Sequence, residues 1–397
     1  MKRLKILLLV FEFPPYPFAG TGMYAFNLAN YLAKNHDVTI IMPNHPGSTK
    51  EVIDKNIKFI KIDSMTTSKA AKVNRSFIDK KTLFSLGARK LLKKINLKEY
   101  DIFHSLTERD GALLDYRYMN KFVKTIISVN DYYIVGAPWN PFKFYFTMDF
   151  PIRYIHHNIM KLFYFKALKN CNNIVPNTDY VKNVLVNGGI DPSKMIVINR
   201  GVNLKRCLFD IDDKKYSSHK VLFIGPNAER KGAFYVVSSM PKVLEKFPDA
   251  RLTIVGSSSF LYKRKIKNFV KKNNLSDKVE FFDQLPYEEV LNRHRDANVF
   301  VMPSLMEAFG QVYLEALATK TPAIGARVGG VPDIITPDVG FLVPPRNSDE
   351  IAKHIIELFS DPKKAKKMGE AGRIRVKKNF SIEKMVKETE DVYKSLI

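Results

Sequence analysis

Short apolar runs alternate with amphipathic segments along almost the whole chain of 397 residues. Strands that are apolar along their entire length are typical of parallel sheets, which helices cover on both faces. Five such runs lie in the first part of the chain and five in the second: KILLLVF, DVTIIMP, IKFIKI, DIFHSL and KTIISV, then KVLFIG, RLTIVG, VEFFD, NVFVMP and PAIGA. The pattern predicts an α/β chain with two doubly wound domains.

A polar stretch with little periodicity separates the two sets of runs: NRGVNLKRCLFDIDDKKYSSHK. We expect this stretch, from Asn199 to Lys220, to contain the domain boundary. The end of the chain, SIEKMVKETEDVYKSLI, has the apolar spacing of a helix.

The net charge of the chain indicates which kinds of partner it binds. The formal net charge is +24, and residues 1–200 carry most of the excess, with 30 basic and 15 acidic side chains. Such a balance is typical of proteins that bind nucleic acid, anionic membranes or phosphorylated ligands, although general overuse of lysine gives the same totals. No nucleic-acid-binding motif is present.

Two segments concentrate this charge. Residues 69–98 contain ten basic side chains and one acid, Asp79, and residues 142–168 interleave aromatic with basic side chains. Each pattern fits either a segment that lies on lipid headgroups or an ordinary packed and solvated helix.

The cysteines and histidines argue against two other kinds of site, a disulfide framework and a metal centre. The two cysteines, Cys171 and Cys207, provide no disulfide framework, and no histidine has metal-site spacing to a cysteine or carboxylate. We therefore expect no metal and no cofactor, and a reducing, cytoplasmic location. No apolar stretch reaches the roughly 18 residues that span a bilayer.

Loops after the predicted strands carry residues suited to phosphate, and ligands of open parallel sheets bind at that edge. Gly20 and Gly22, in FAGTGMYAF, allow a ligand to approach the start of a helix. In GPNAERKG, Gly225 precedes Arg230 and Lys231, two cations suited to a diphosphate. A plain turn or surface charge would explain either loop equally simply.

Two glutamates in SLMEAFGQVYLEALA indicate a further site. Glu307 precedes Phe309 and Gly310, where we expect a helix to begin, and Glu315 follows eight residues after Glu307. A helix would separate the two by about 12 Å, which is too far for the paired carboxylates of a glycosidase. The spacing favours two hydrogen-bonding tasks on one extended ligand, and the glycine loop of ARVGGVPDII faces the same edge.

These segments together resemble the retaining glycosyltransferases of family 4, which have the GT-B fold. The stretch PSLMEAFGQVYLEALATKTPAIGARVGGVPDII is similar to the E-x7-E region of that family. Four more segments are similar to its glycine loop, G-V-D/N element, basic loop and C-terminal helix: FPPYPFAGTGMYAFNLANYLAKNHDVTI, NRGVN, RKG and FSIEKMVKETEDVYKSL.

The resemblance implies two Rossmann-like domains facing an interdomain cleft. Residues 1–200 would form the acceptor domain, 201–218 a linker and 219–378 the nucleotide-sugar donor domain. Residues 379–397 would be a helix that packs back on the N-terminal domain.

The resemblance also implies residue roles. Lys231 and Arg230 would hold the donor diphosphate, and Glu307 would hydrogen-bond the transferred sugar. Glu315 would bind the ribose hydroxyls. Backbone N–H groups near Phe309 and Gly310 would face sugar and phosphate, and the glycines would leave room for the donor: Gly20, Gly22 and Gly225.

Three positions depart from the family pattern. Ala19 replaces a glycine, Pro226 replaces an arginine, and Asn130–Asp131 stand where many members have His–Asp. Asparagine can hydrogen-bond a sugar hydroxyl but carries no proton or positive charge.

The sequence therefore predicts a retaining, metal-independent glycosyltransferase with a lipid-linked or glycan acceptor, peripheral to the inner face of the cell membrane. Two alternatives remain: another GT-B enzyme, either an inverting transferase or a nucleotide-sugar epimerase, and a non-catalytic donor-binding protein. We expect no nucleic-acid partner.

Overall fold

The computed structural model of the protein describes residues 3–14, 20–44, 53–63, 80–131, 150–207, 211–225 and 228–397, without the side chains of residues 150–157. The chain divides into two compact units. The first comprises Met1–Gly201 with Ile382–Ile397, and the second comprises Val202–Ser381.

The first unit is built on a six-stranded parallel sheet with the strand order β3-β2-β1-β4-β5-β6. The central strand β1 is buried along four of its five residues, and its Ile6 lies opposite Val38 and Ile102 in the neighbouring strands. The strands are Lys5–Leu9 (β1), Asp37–Pro43 (β2), Lys58–Ile62 (β3), Ile102–Ser105 (β4), Lys124–Val129 (β5) and Asn173–Pro176 (β6).

Helices connect these strands. They are Gly20–Leu32 (α1), Lys80–Leu92 (α2), Tyr116–Met119 (α3), Phe150–Asn170 (α4) and Asp179–Asn187 (α5). Because α2 precedes β4 and α4 precedes β6, both helices return the chain to the amino-terminal edge of the sheet.

The second unit repeats this architecture with the strand order β12-β11-β10-β7-β8-β9. Its strands are Lys220–Ile224 (β7), Arg251–Val255 (β8), Val279–Phe282 (β9), Val299–Met302 (β10), Ala323–Ala326 (β11) and Gly340–Val343 (β12). Its helices are Leu204–Cys207 (α6), Ala233–Lys246 (α7), Phe260–Lys272 (α8), Tyr287–Asp296 (α9), Gln311–Ala318 (α10), Val331–Ile334 (α11), Ser348–Ser360 (α12) and Pro362–Asn379 (α13). Across the described part of both units, no helix combines the length and apolarity that crossing a membrane requires.

The last helix, Ile382–Ser395 (α14), belongs to the first unit. It lies beside α1 and adds Met385, Val386 and Tyr393 to the buried core there. The Tyr393 hydroxyl lies 2.7 Å from Nδ1 of His104 in β4, and Nε2 of that ring lies 2.8 Å from Ser128 Oγ. Burial lowers the pKa of His104 to about 3, so the imidazole is neutral and both ring nitrogens have partners.

Two edge strands are absent from the sequence-based prediction, which otherwise finds the strands of both sheets. β6 reads NIVP and β12 reads GFLV, so each has only four residues and contains proline or glycine. Such short runs carry too little periodicity to separate strand from loop.

The stretch expected to be a linker, residues 201–218, differs from the expectation. From Val202 onward it belongs to the second unit, where Tyr216 is buried and its hydroxyl donates to the Lys320 carbonyl at 2.9 Å. The buried Lys215 ammonium donates to Thr319 O at 3.0 Å and to Thr321 Oγ1 at 2.8 Å, and burial lowers its pKa to about 7. The polar composition does not predict this packed 3-10 helix, Asp213–Ser217, because Lys215 and Tyr216 form their hydrogen bonds with groups inside the second unit.

The pairing of His104 with Tyr393 predicts that Tyr393→Phe destabilises the first unit. The substitution leaves one ring nitrogen of a buried histidine without a partner, which should cost about 1–3 kcal/mol of unfolding free energy. Urea denaturation of the full chain would measure the loss. Tyr31→Phe is the matched control, because that half-buried hydroxyl also bonds α14, donating to Glu383 at 2.9 Å, but water can replace it. Equal losses in the two variants would contradict the assigned role of the buried pair.

Candidate functional site

Three loops of the second unit meet at the carboxyl-terminal edge of its sheet. They follow β7, β10 and β11, which are adjacent in the sheet. β10 and β8 lie on opposite sides of β7, so the connections reverse direction there, and ligands of open sheets bind at such a position.

The structure brings Lys231 of the first loop to Glu307 of the second. The Lys231 ammonium contacts Glu307 Oε2, and Ser304 Oγ lies 3.4 Å from the same oxygen. Each of the two charged residues is only 7% exposed. A buried ion pair holds both side chains firmly, because separating them would leave a charge in a medium that solvates it poorly.

Glycines shape the backbone around Glu307. Gly329 has a φ of +54°, and a Cβ on it would lie 1.7 Å from the Glu307 carbonyl oxygen, so no other residue fits there. The next amide, of Gly330, donates to that oxygen at 3.2 Å. Gly310 has a φ of +96° and immediately precedes α10. The GG and FG pairs of the sequence thus fix the loop that presents Glu307.

Arg230 and Gly225 support the same arrangement from the β7 loop. Arg230 donates through a terminal guanidinium nitrogen to Met306 O at 3.2 Å, and its own carbonyl accepts from Leu305 N at 2.8 Å. Gly225 lies against the aliphatic stem of Lys231, where an added Cβ would come within 2.9 Å of Cγ. Arg230 therefore fastens the β10 loop in addition to any phosphate contact.

Glu315 lies on α10 in a different electrostatic setting. Its Oε1 accepts from the Tyr287 hydroxyl at 3.3 Å, and its Oε2 is 4.0 Å from His294 Nε2. Burial lowers the pKa of His294 to about 3, so the ring is neutral and offers no charge. Burial raises the pKa of Glu315 to about 7, and the Tyr287 hydrogen bond offsets that only in part.

Phe309 was expected to act through its backbone, and its side chain is in fact occupied with packing. The ring is 3% exposed and lies 6.1 Å from the Phe380 ring, edge to face. Beside it, at the first position of α10, the buried Oε1 of Gln311 has no hydrogen-bond partner in the described residues. The sequence analysis did not single out Gln311, since a polar residue at a helix start is unremarkable by itself.

In the first unit, Asn130 lies directly after β5. Its side-chain nitrogen Nδ2 donates to Leu106 O at 2.7 Å, and its backbone carbonyl accepts from Asn177 Nδ2 at 3.1 Å. Its backbone N–H donates to Glu108 Oε2 at 3.0 Å. The side-chain amide thus holds the loop after β4, and the backbone of Asn130 bonds Glu108 and Asn177, contacts that the sequence does not reveal; Asp131 is exposed beside it.

Glu108, which no sequence motif singles out, lies beside Asn130 and accepts its backbone N–H. It is 2% exposed, and burial raises its pKa to about 7, with the nearby Asp131 charge contributing in the same direction. The Asn130 N–H opposes the shift. Its position two residues beyond a predicted strand, in LTERD, was the available signal.

Gly20 and Gly22 lie in the first turn of α1. The Gly20 carbonyl accepts from Arg200 at 2.9 Å, and the Arg200 guanidinium lies 4.8 Å above the Tyr24 ring. Burial lowers the pKa of Arg200, which is 6% exposed. Arg200 belongs to the NRGVN segment and was not assigned a role.

Some expectations fall outside the described residues. Ala19, Pro226, the basic residues 69–79 and the aromatic residues 142–149 are among them. Within the described ranges, no three His, Cys, Asp or Glu side chains are grouped as a metal site would need.

Two family models match the chain: Glycosyltransferase Family 4 over residues 18–206 and Glycosyl transferases group 1 over residues 209–375. An uncharacterized glycosyltransferase of Methanocaldococcus jannaschii is 26% identical, over 98% of this chain and 98% of its own. A GDP-mannose-dependent monoacylated alpha-(1-6)-phosphatidylinositol monomannoside mannosyltransferase of Corynebacterium glutamicum is 34% identical over 42% of this chain and 44% of its own.

A solved structure agrees with the fold. Sucrose-phosphate synthase from Thermosynechococcus elongatus matches with a TM-score of 0.79 and 22% identity, over 99% of each chain. The predicted fold class, α/β with two Rossmann-like doubly wound domains of the GT-B type, is confirmed.

The buried Glu315 predicts a characteristic pH dependence of stability. Its folded pKa of about 7 exceeds the ordinary value of 4.5, so the folded protein binds more protons than the unfolded chain between these values. The unfolding free energy should therefore fall as pH rises through this window. Relative to Glu315→Gln, the wild type should lose on the order of 1–3 kcal/mol between pH 5 and pH 8.

Urea denaturation of both proteins at four pH values across that range would measure the difference. The same substitution at the exposed Glu245 on α7 should leave the wild-type pH profile unchanged. Parallel profiles for wild type and Glu315→Gln would show that Glu315 does not titrate in this range.

Proposed function

Because this chain belongs to the group 1 glycosyltransferases of family 4 and is therefore a transferase, we propose that it moves a sugar from a nucleotide-sugar donor to a lipid-linked or glycan acceptor at a membrane surface, with retention of anomeric configuration. The observation that supports the proposal is the buried Lys231–Glu307 pair, formed by the loops that follow the adjacent strands β7 and β10.

The donor diphosphate would lie near Lys231 and Arg230. Transfer breaks the bond between the anomeric carbon and the phosphate oxygen, and the electron pair leaves with the nucleoside diphosphate. Fixed positive charge and N–H groups stabilise that developing charge most when they are already in place. The Lys231 ammonium, fixed by Glu307, and the N–H groups at the start of α10 meet this requirement.

Glu307 and Glu315 would bind the two ends of the donor. Glu307 would accept a hydrogen bond from a hydroxyl of the transferred sugar, and Glu315 would accept from the ribose hydroxyls. The raised pKa of Glu315 supports this assignment, because a buried carboxyl with one weak hydrogen bond has capacity left for a ligand.

Acceptor binding is assigned to the first unit, at the loops that hold Asn130, Asp131 and Glu108. The acceptor hydroxyl would attack the anomeric carbon on the face from which the phosphate leaves, and a phosphate oxygen would help to take its proton. Glu108 would orient Asn130 through the backbone hydrogen bond at 3.0 Å.

A membrane acceptor is supported by charge and by similarity. The excess of basic side chains in residues 1–200 suits an anionic surface, and the name of the mannosyltransferase of Corynebacterium glutamicum refers to a monoacylated phosphatidylinositol monomannoside. An inverting transferase or an epimerase on the same fold is the alternative, and the anomer of the product distinguishes them.

We expect Glu315→Ala to weaken donor binding and Glu307→Ala mainly to lower turnover. Loss of a hydrogen-bonding carboxylate from a closed site should cost roughly 1.5–3 kcal/mol, equivalent to about 10- to 150-fold. Calorimetric titration with a panel of nucleotide sugars would measure affinity, and product formation would measure turnover. Glu245→Ala is the control for the removal of an exposed glutamate. Unchanged affinity and turnover in both site variants would remove the donor assignment.

We also expect full activity in excess EDTA. The positive charges of Lys231 and Arg230 would stabilise the negative charge of the leaving diphosphate without a divalent ion, because they are already in place beside it. The measurement is transfer rate before and after chelation, with Mg²⁺ or Mn²⁺ restored as the control. Activity that disappears with EDTA and returns with the ion would contradict the proposed charge stabilisation.

A further inference from the structure

A cavity of about 470 Å³ lies in the first unit, between the end of α2, the segment around α3 and the second half of α4. Ala112, Leu113 and Tyr116 form its buried floor. α3 is the last helix before β5, and Asn170 ends the helix before β6, so this part of the cavity lies toward the amino-terminal edge of the sheet. Glu108 and Asn130 follow strands at the opposite edge, and the loop after β4 runs from Glu108 to the cavity residues Ala112 and Leu113.

Positive charge surrounds the cavity. Four cations line it, Arg89, Arg117, Lys121 and Lys166, against the single carboxylate Asp115. The Asp115 side chain caps α3 by accepting from Tyr118 N at 3.2 Å. In the described ranges, none of the four cations forms an ion pair with a carboxylate. Cations that share a concave site without acidic partners attract an anion.

Arg117 is held in place for such a ligand. Its Nε donates to Asn170 Oδ1 at 2.7 Å, and Asn170 Nδ2 donates in turn to Lys166 O at 2.6 Å. The exposed guanidinium is therefore tied through Nε to the end of α4, and its terminal nitrogens form a planar group that suits a phosphate.

An apolar stripe on α4 borders the cavity. Ile159, Leu162 and Phe163 are 47%, 72% and 38% exposed, and with Lys166 they follow the spacing of one helix face. Apolar side chains exposed beside cations are typical of surfaces that enter the headgroup region of a membrane.

We propose that this cavity binds the phosphate of an anionic phospholipid headgroup while Leu162 and Phe163 enter the lipid. The inference rests on the proposed action at a membrane surface and gives that surface a defined lipid site. The volume lies within the roughly 300–1,000 Å³ of small-molecule sites. The four cations supply the charge complementarity, and the exposed stripe supplies the apolar contact.

The direction of α2 relates the cavity to the proposed acceptor loops. Lys81, at the start of α2, donates to Glu12 beyond the carboxyl end of β1 at 2.8 Å, whereas Arg89 near its end lines the cavity. α2 therefore runs from one edge of the sheet to the other. A bilayer held at the cavity would extend along this face toward the loops of Glu108 and Asn130, where an acceptor headgroup from the same leaflet would be presented.

The test is co-sedimentation with vesicles of phosphatidylcholine, with and without phosphatidylglycerol, at 0.1 M salt. Lys121→Gln/Lys166→Gln should weaken binding to phosphatidylglycerol vesicles about thirtyfold, since each cation at an anionic surface contributes about a fivefold factor. Lys90→Gln/Lys93→Gln is the matched control: it removes the same charge from exposed positions on or next to α2 that do not line the cavity. We expect that control to lose no more than about threefold.

Equal losses in the two double variants would mean a diffuse basic surface, and would overturn the cavity while leaving membrane action intact. A wild type that ignores phosphatidylglycerol vesicles would overturn both proposals. The melting temperature of each variant, expected to equal that of the wild type, confirms that folding is unaffected.

The apolar half of the proposal has its own matched pair. Leu162→Ser should weaken vesicle binding about tenfold or more, because a leucine that enters the lipid loses its burial. Leu261→Ser makes the same change on α8 of the second unit, at a side chain that is 74% exposed. A loss with Leu261→Ser instead of Leu162→Ser would place the docking surface on the second unit and overturn the inference.

Discussion

Parallel pairing of short buried strands is the constraint on which both units depend. A parallel strand cannot return directly to its neighbour, so most of the described strands are followed by a loop and a helix before the next strand begins. The loops after all six strands of a sheet consequently emerge at one edge. Lys231, Glu307 and Gly329 are far apart in sequence, yet they follow β7, β10 and β11 and meet there.

Burial then gives the two glutamates of one segment different properties. Glu307 faces an ammonium group, so its negative charge is balanced where it lies. Glu315 faces a tyrosine hydroxyl and a neutral imidazole, and burial raises its pKa to about 7. A carboxylate paired with a cation can hold that cation in position to bind phosphate. A buried carboxyl with few hydrogen-bond partners is instead stabilised by any ligand that supplies hydrogen bonds. Glu307 and Glu315, eight residues apart, therefore differ in their electrostatic environment as well as in their position.

Features with a local sequence pattern could be predicted, whereas contacts between residues that are distant in the sequence could not. Apolar runs predicted the central strands, and two of the residues that follow them, Lys231 and Glu307, are in contact in the structure; the roles assigned to them and to Glu315 stay predictions. The short edge strands β6 and β12 lacked that signal. The bracing role of Asn130, the burial of Glu108 and the inward bonds of Lys215 depend on loops brought together by folding, which no spacing reveals.

The distribution of charge in the first unit also requires its three-dimensional structure. At the carboxyl-terminal edge of the sheet, cations have acidic neighbours: Lys81 donates to Glu12, and the charge of Glu108 acts on Arg200. At the cavity, Arg117 and Lys121 have no such compensation among the described residues. Among the described residues, positive charge is therefore balanced by carboxylates near the loops of Glu12 and Glu108 and is not balanced at the cavity. If the cavity binds lipid and the loops of Glu108 and Asn130 bind the acceptor, as proposed, substitutions at one place should weaken one task and spare the other.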